Sequence, residues 1–221
     1  MNRLSISRLM IIFGLAILFG PLVACAPSAS SSPTPAPKDD SPIRIAAACE
    51  TDGPMQLNPD ENGHYPLRNV VPRADKFCGL ILPLDSQSLN AVLRGAKTVD
   101  YRRSIPTDHY SHVIYFNTKT LELYATAEVD HSLAGSPRDI ADLTSSNAGT
   151  NLNGALNYFG GRNYGFAIAI KNARLLANPM SIEDARAVDS RFARPYSYLF
   201  LERHPKLNQE FAKRMGFTSS L

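Results

Sequence analysis

Residues Leu121 to Val129 alternate apolar and polar side chains without interruption. Leu121, Leu123, Ala125, Ala127 and Val129 fall on one side, and Glu122, Tyr124, Thr126 and Glu128 on the other. Successive side chains of an extended chain point to opposite faces, so this pattern predicts a strand with core on one side. One strand is not stable alone and needs neighbours in a sheet. The flanking sequence supplies them. Val113 to Asn117 is a short apolar run, joined to the alternating segment by the polar turn Thr118-Lys119-Thr120. Tyr164 to Leu176 places Phe166, Ile168 and Ile170 on one face, and Asn178-Pro179 is expected to break it. Between Lys97 and Arg103, Val99 and Tyr101 alternate with Thr98, Asp100 and Arg102.

Short helices are interspersed among these strands. Leu84 to Arg94 has Asp85 or Ser86 as a cap, Leu89, Val92 and Leu93 on one face, and Gly95 at its end. Ser136-Pro137 opens a helix to Leu143, and Leu152 to Phe159 forms another, stopped by Gly160-Gly161. Ser181 caps a helix running through Ala187, with Asp184 at the capping-box position. The tail from Pro195 to Phe217 carries Tyr198, Leu201, Leu207, Phe211 and Met215 at roughly helical intervals. Short strands and short helices sharing one core indicate an α+β fold, a small β-barrel with short helices over its ends.

The amino terminus limits where this fold begins. Met1 to Arg8 carries Arg3 and Arg8 with no acid, and Leu9 to Ala24 is almost wholly apolar yet short for a bilayer span. The apolar run closes on Leu22-Val23-Ala24-Cys25, which resembles the lipobox of bacterial lipoproteins. The resemblance implies a thioether-linked diacylglycerol on Cys25, cleavage before it, and acylation of the new amine by a fatty acid such as palmitate. Ser28 to Ser41 (SASSSPTPAPKDDS) has no large apolar side chain and reads as an extended tether. The expected organisation is a signal peptide at 1–24, a lipidated Cys and tether at 25–42, an N-terminal extension at 43–78, a barrel at 79–187 and a C-terminal helical extension at 188–221.

With Cys25 carrying lipid, Cys49 and Cys78 remain as an even pair in an oxidising compartment. They are expected to form a disulfide that pins the Pro- and Gly-rich stretch Glu50 to Asp75; the alternative is one buried and one exposed thiol. Charge is nearly balanced. Removing Arg3 and Arg8 takes the basic residues from 23 to 21 against 20 acids. A nucleic-acid binder generally shows a strong basic excess or stripe, so nucleic acid is not the expected partner. His64, His109, His112, His131 and His204 lack metal-ligand spacing, and no metal or other cofactor is expected. Ser136, Ser145 and Ser146 lack a nucleophile-elbow context, and Gly160-Gly161 reads as a turn.

The segment Leu93-Arg94-Gly95-Ala96-Lys97-Thr98-Val99-Asp100-Tyr101-Arg102-Arg103 resembles the Gly-x-Lys-x-x-Glu-x-Arg signature of ASCH domains, a branch of the PUA-like fold. Asp100 stands where that family usually has Glu. The likeness continues through Tyr124 to Val129, Asn157 to Gly161, Gly165 to Ile170 and Asn178 to Ser181, in the family's order and over about 105 residues from near Gly79 to near Arg186. It implies a five- or six-stranded β-barrel with a cleft lined by the signature residues.

Read without the family, Lys97, Asp100, Arg102 and Glu128 form either a polar site for a nucleobase-like or phosphate-bearing ligand, or an ion network at a strand start. Some ASCH relatives are amidohydrolases on acetylated cytidine, with a Lys base matching Lys97 and a Thr nucleophile at the position of Asp100. A carboxylate cannot replace that hydroxyl, and Thr98 points to another face. The expectation is therefore a lipid-anchored envelope protein with an ASCH-like module that binds a small polar or nucleoside-like molecule, or a protein partner. An amidohydrolase using Lys97, and an RNA-binding domain, are the alternatives. Ala26 after the lipidated Cys, in place of Asp, implies the outer membrane facing the periplasm in a Gram-negative host, and the outer face of the cell membrane otherwise.

Overall fold

The computed structural model describes residues 57–72, 77–105 and 110–216, all within one compact unit. The expected signal peptide at 1–24, Cys25, the expected tether, Cys49 and His109 lie outside the described residues. The strands are β1 (Arg68–Val70), β2 (Gly79–Leu84), β3 (Val99–Arg102), β4 (His112–Asn117), β5 (Glu122–Gly135), β6 (Gly165–Ser181) and β7 (Leu199–Phe200). The helices are α1 (Ser86–Leu93), α2 (Pro137–Thr144), α3 (Leu152–Phe159), α4 (Ile182–Val188) and α5 (Pro205–Arg214), with a 3-10 turn at Leu201–Arg203.

All the strands join one seven-stranded sheet in the order β3-β6-β5-β4-β2-β7, and β1 pairs with β5 off this path. The β2–β4 pair is parallel and the others are antiparallel. The α+β class holds. The sheet curls into a half-barrel whose edge strands, β3 and β7, do not pair, so it has more strands than expected and is open at one seam.

The two faces of the sheet bury different cores. Leu80, Leu82 and Leu84 of β2, Val113 and Tyr115 of β4, and Phe166, Ile168 and Ile170 of β6 fill the inside of the curl with Leu89 and Val92 of α1. Ile81, Ile114 and Phe116, from the alternate positions of β2 and β4, pack outward against Ile182, Leu201, Leu207 and Phe211 of the C-terminal elements. Val99 and Tyr101 of β3 join Ile140, Ala141, Ala155 and Phe159 under α2 and α3. Period-two alternation thus leaves Asp100 and Arg102 on the other face of β3, turned into the curl.

Local signals account for most boundaries. Asp85 caps α1 by accepting from the Gln87 and Ser88 amides, and Gly95 turns the chain away at φ +70°. Asn151 caps α3, and Ser181 and Asp184 close a capping box on α4. Three expectations need correction. Leu121 is not in the strand: it sits in the β4–β5 turn at φ 62°, where the Asn117 side chain accepts from the Lys119 amide. Asn178-Pro179 does not break β6, which runs on to pair Met180 with Leu123 and Ser181 with Glu122. The chain beyond α4 is not wholly helical, because β7 adds to β2 at Leu80 and Ile81.

Candidate functional site

The seam of the half-barrel is a cleft of about 590 Å³. One wall is the end of β2 and the start of α1 (Pro83, Leu84, Asp85, Ser88), and the other is β3 with α3 and the residue leading into its cap (Tyr101, Thr150, Gly154, Tyr158). Lys97, Asp100 and Arg102 lie between them. Gly95 ends α1 just before Lys97, and β3 begins two residues after Lys97, so the turn holds this side chain at the mouth while alternation directs Asp100 and Arg102 inward.

Asp100 is 2% exposed and is the hub of the cluster. Lys97 Nζ donates to Oδ1 at 3.0 Å, while Arg102 Nη2 and Nε donate to Oδ2 at 2.6 and 3.2 Å. Arg102 Nη1 donates in turn to the Pro83 carbonyl at 3.1 Å, so one guanidinium spans the open seam from β3 to β2. Pro83 offers no amide there, and its carbonyl takes the contact that strand pairing leaves unmade.

Burial by itself would raise the Asp100 carboxyl, but the charges of Arg102 and Lys97, with their hydrogen bonds, outweigh it and hold the carboxyl below its ordinary range. Burial opposes the charge on Arg102 as well, and Asp100 reverses that, so the guanidinium is held above its usual value. Beneath the pair, burial pushes the Tyr115 hydroxyl well up; it is fully buried and, among the described residues, has no hydrogen-bond partner. Tyr110, likewise pushed up by burial, shares a 3.0 Å hydrogen bond with Ser132.

The structure therefore brings Lys97, Asp100 and Arg102 together and leaves Glu128 out. Glu128 lies on β5, with β6 between it and β3, and accepts from Asn172 Nδ2 at 3.0 Å. Along β5 it pairs with Lys171, whereas Asp100 sits level with Ile168 and Ser132. It does not line the cleft. Cys78 is buried and disulfide-bonded, and the chain's other cysteines, Cys25 and Cys49, are outside the described residues.

Sequence reasoning missed Ser88, Thr118, Thr150, Tyr158 and Tyr196, which complete the lining. They come from separate elements and share no local pattern. Tyr158 is the best tied of them: its hydroxyl donates to the Tyr101 carbonyl at 2.7 Å, and the Arg103 guanidinium lies 5.1 Å from its ring centre. Lys97 spends one N–H on Asp100, and Arg102 spends two there and one on Pro83, so both keep N–H groups for a ligand. Among the described residues no group of three His, Cys, Asp or Glu side chains is placed to hold a metal.

No family model matches the chain, and no curated protein matches it by sequence. Solved structures do match. The crystal structure of ASCH from Zymomonas mobilis superposes with a TM-score of 0.52 at 20% identity, covering 59% of this chain and 94% of that one. The fold is that of an ASCH domain. A Tyr-to-Phe variant of the Zymomonas mobilis protein gives a TM-score of 0.54 at 19% identity, over 61% of this chain and 96% of that one. A Ser-to-Ala variant gives 0.54 at 16% identity, over 65% and 98%. Nearly all of each ASCH chain is thus covered, while more than a third of this chain lies outside the likeness.

Proposed function

We propose that this chain is a lipid-anchored cell-envelope protein whose ASCH-like domain binds a small polar, nucleoside-like ligand in the cleft at the half-barrel seam. The observation that carries the binding claim is the Lys97–Asp100–Arg102 cluster, built into the seam with donors remaining beside a 590 Å³ cleft. Ion pairs at a surface are worth little and need no cavity beside them. Here a carboxylate almost wholly withdrawn from water organises two cations at the floor of an opening, an arrangement suited to reading carbonyl or anionic groups.

The same geometry speaks against hydrolysis. Asp100, at the position of the amidohydrolase nucleophile, is held by two cations, and an ammonium donating to a carboxylate has no lone pair with which to act as a base. No observation favours RNA binding. The anchor rests on Leu22 to Cys25, and the Cys49–Cys78 disulfide on the cysteine count together with the bonded state of Cys78.

Isothermal titration of the full-length lipidated protein in detergent against cytidine, uridine, adenosine and guanosine tests the binding claim. Saturable binding that Lys97→Ala weakens at least tenfold is expected. Absence of binding, or binding indifferent to Lys97→Ala, would remove it. Mass spectrometry of the mature protein is expected to find an acylated, diacylglycerol-modified Cys25 at the amino terminus. An unmodified Met1 start would contradict the anchor.

A further inference from the structure

Tyr196 is 89% exposed, far more than the other large hydrophobic side chains on the surface. A single exposed tyrosine is unremarkable, but this one is held in place. Pro195 before it is buried, and Tyr198 and Phe200 after it pack against the core inside the curl. The backbone is fastened on both sides while the ring projects, and it lines the same cleft as Lys97, Asp100 and Arg102.

Its position in the fold is equally specific. Tyr196 lies just before β7, the strand that pairs with β2, and the end of β2 forms one wall of the cleft. Tyr158 belongs to α3 and is hydrogen-bonded to β3, the other wall. One wall therefore contributes Tyr196 and the other Tyr158 beside the buried Tyr101, with the donors of Lys97 and Arg102 between. Aromatic faces stack on flat π-systems of any identity, whereas hydrogen-bond donors select the groups on their edges.

We infer that Tyr196 is a ligand-contacting residue that stacks on a flat heteroaromatic ring, the carbonyl or carboxylate edge of which faces Lys97. This inference rests on the cleft being the binding site, and it adds the residue that selects a flat ring and the edge by which that ring is read. A saturated ring with the same polar groups keeps the edge contacts and loses the stacking, so it binds more weakly.

The test compares uridine and uracil with 5,6-dihydrouridine and 5,6-dihydrouracil, which keep both ring carbonyls and the neutral charge and lose only the flat aromatic ring. Affinities are measured on the full-length wild type, Tyr196→Ala, Tyr196→Phe and Lys97→Ala. Tyr196→Ala is expected to weaken the aromatic probes by roughly fivefold or more, to leave the saturated ones unchanged, and to be rescued to within about twofold by Tyr196→Phe. Because the native chain has no tryptophan, Tyr196→Trp places a single reporter at the cleft mouth, and aromatic probes are expected to quench it. If Lys97→Ala weakens binding and Tyr196→Ala does not, the cleft stands and the role of Tyr196 is wrong. If neither substitution changes the affinities, or no probe binds the wild type, the cleft reading falls as well.

Discussion

A carboxylate withdrawn from water costs several kcal/mol unless its partners restore what solvation supplied. At Asp100 the partners are Arg102, through two N–H groups, and Lys97, whose side chain is 16% exposed. Asp100→Ala strands both cations, one of them deep in the curl, and is expected to lower stability by about 3–5 kcal/mol in urea unfolding. Lys97→Ala leaves the Arg102 pairing intact and is expected to cost much less, so it is the variant for binding work. A loss of comparable size in the two variants would show that the pairing geometry is not what holds the cluster. The Asp100 carboxyl titrates below its unfolded value of about 3.9, because Arg102 and Lys97 outweigh burial. Its contribution is therefore fully present above that value and is lost as pH falls through the lower folded one. Asp100→Asn is expected to flatten the acid limb of a pH–stability profile below about pH 4, and an unchanged limb would contradict the assignment. Much of this cluster was legible in the sequence, since Lys97, Asp100 and Arg102 lie within one short segment; alternation assigns Asp100 and Arg102 to one face, while the turn before β3 brings Lys97 to them. Glu128 was misplaced because alternation along β5 says nothing about which strand separates it from β3. Tyr158 and Tyr196 were invisible because their meeting depends on where α3 and β7 dock.

The helices and strands are specified mostly by local chemistry, and the joints between them by close approach. A Cβ on Gly165 would collide with the ring of Phe159, the fully buried last residue of α3, which cannot yield. Gly165→Ala is expected to cost about 1–3 kcal/mol by thermal or urea unfolding, and no loss would mean that α3 can slide. The elements read correctly from sequence were those with a cap, an N-terminal proline or an unbroken apolar pattern: α1, α2, α3, α4, β4 and the centre of β5. The misread ones had their local signal overruled by pairing. Pro179 is tolerated in β6 because it falls where the register with β5 jumps from Leu175 to Met180, so its missing N–H costs no ladder bond and pairing resumes beyond it, and Leu121 is driven to positive φ by the turn that Asn117 organises. The 3-10 turn before α5 ends at His204, which is buried against Phe192, with Nδ1 3.4 Å from Asp189 Oδ2 but not in hydrogen-bonding geometry. Burial lowers its titration, and the nearby Asp189 only partly opposes this. The unfolded chain therefore takes the proton first as pH falls, so the stability given by neutral His204 is present above about pH 6.5 and drains away on acidification. His204→Gln is expected to weaken that dependence between pH 7 and 5, read as urea midpoints.

At the scale of the molecule, the C-terminal elements complete the ASCH fold's outer face. Ile81, Ile114, Phe116 and Leu123 are covered by α4, the 3-10 turn and α5. A chain ending at Val188 exposes that surface and is expected to aggregate or to lose cooperative unfolding; a soluble, cooperative truncation would show the extension to be dispensable. Sequence suggested helices here through the spacing of Leu201, Leu207 and Phe211, but β7 was too short to leave a period, and with it went the placement of Tyr196. The half-barrel's opening was likewise illegible, because closure depends on whether β3 and β2 meet, and a guanidinium fills the gap instead. That seam is the centre of the account. Amide chemical-shift mapping of the isotopically labelled full-length protein in detergent, titrated with uridine, examines it most directly. Binding in the seam is expected to concentrate shifts at Ser88, Lys97, Asp100, Thr150, Tyr158 and Tyr196, whereas shifts confined to the outer face of the sheet, or none at millimolar uridine, would overturn the cleft as the binding site.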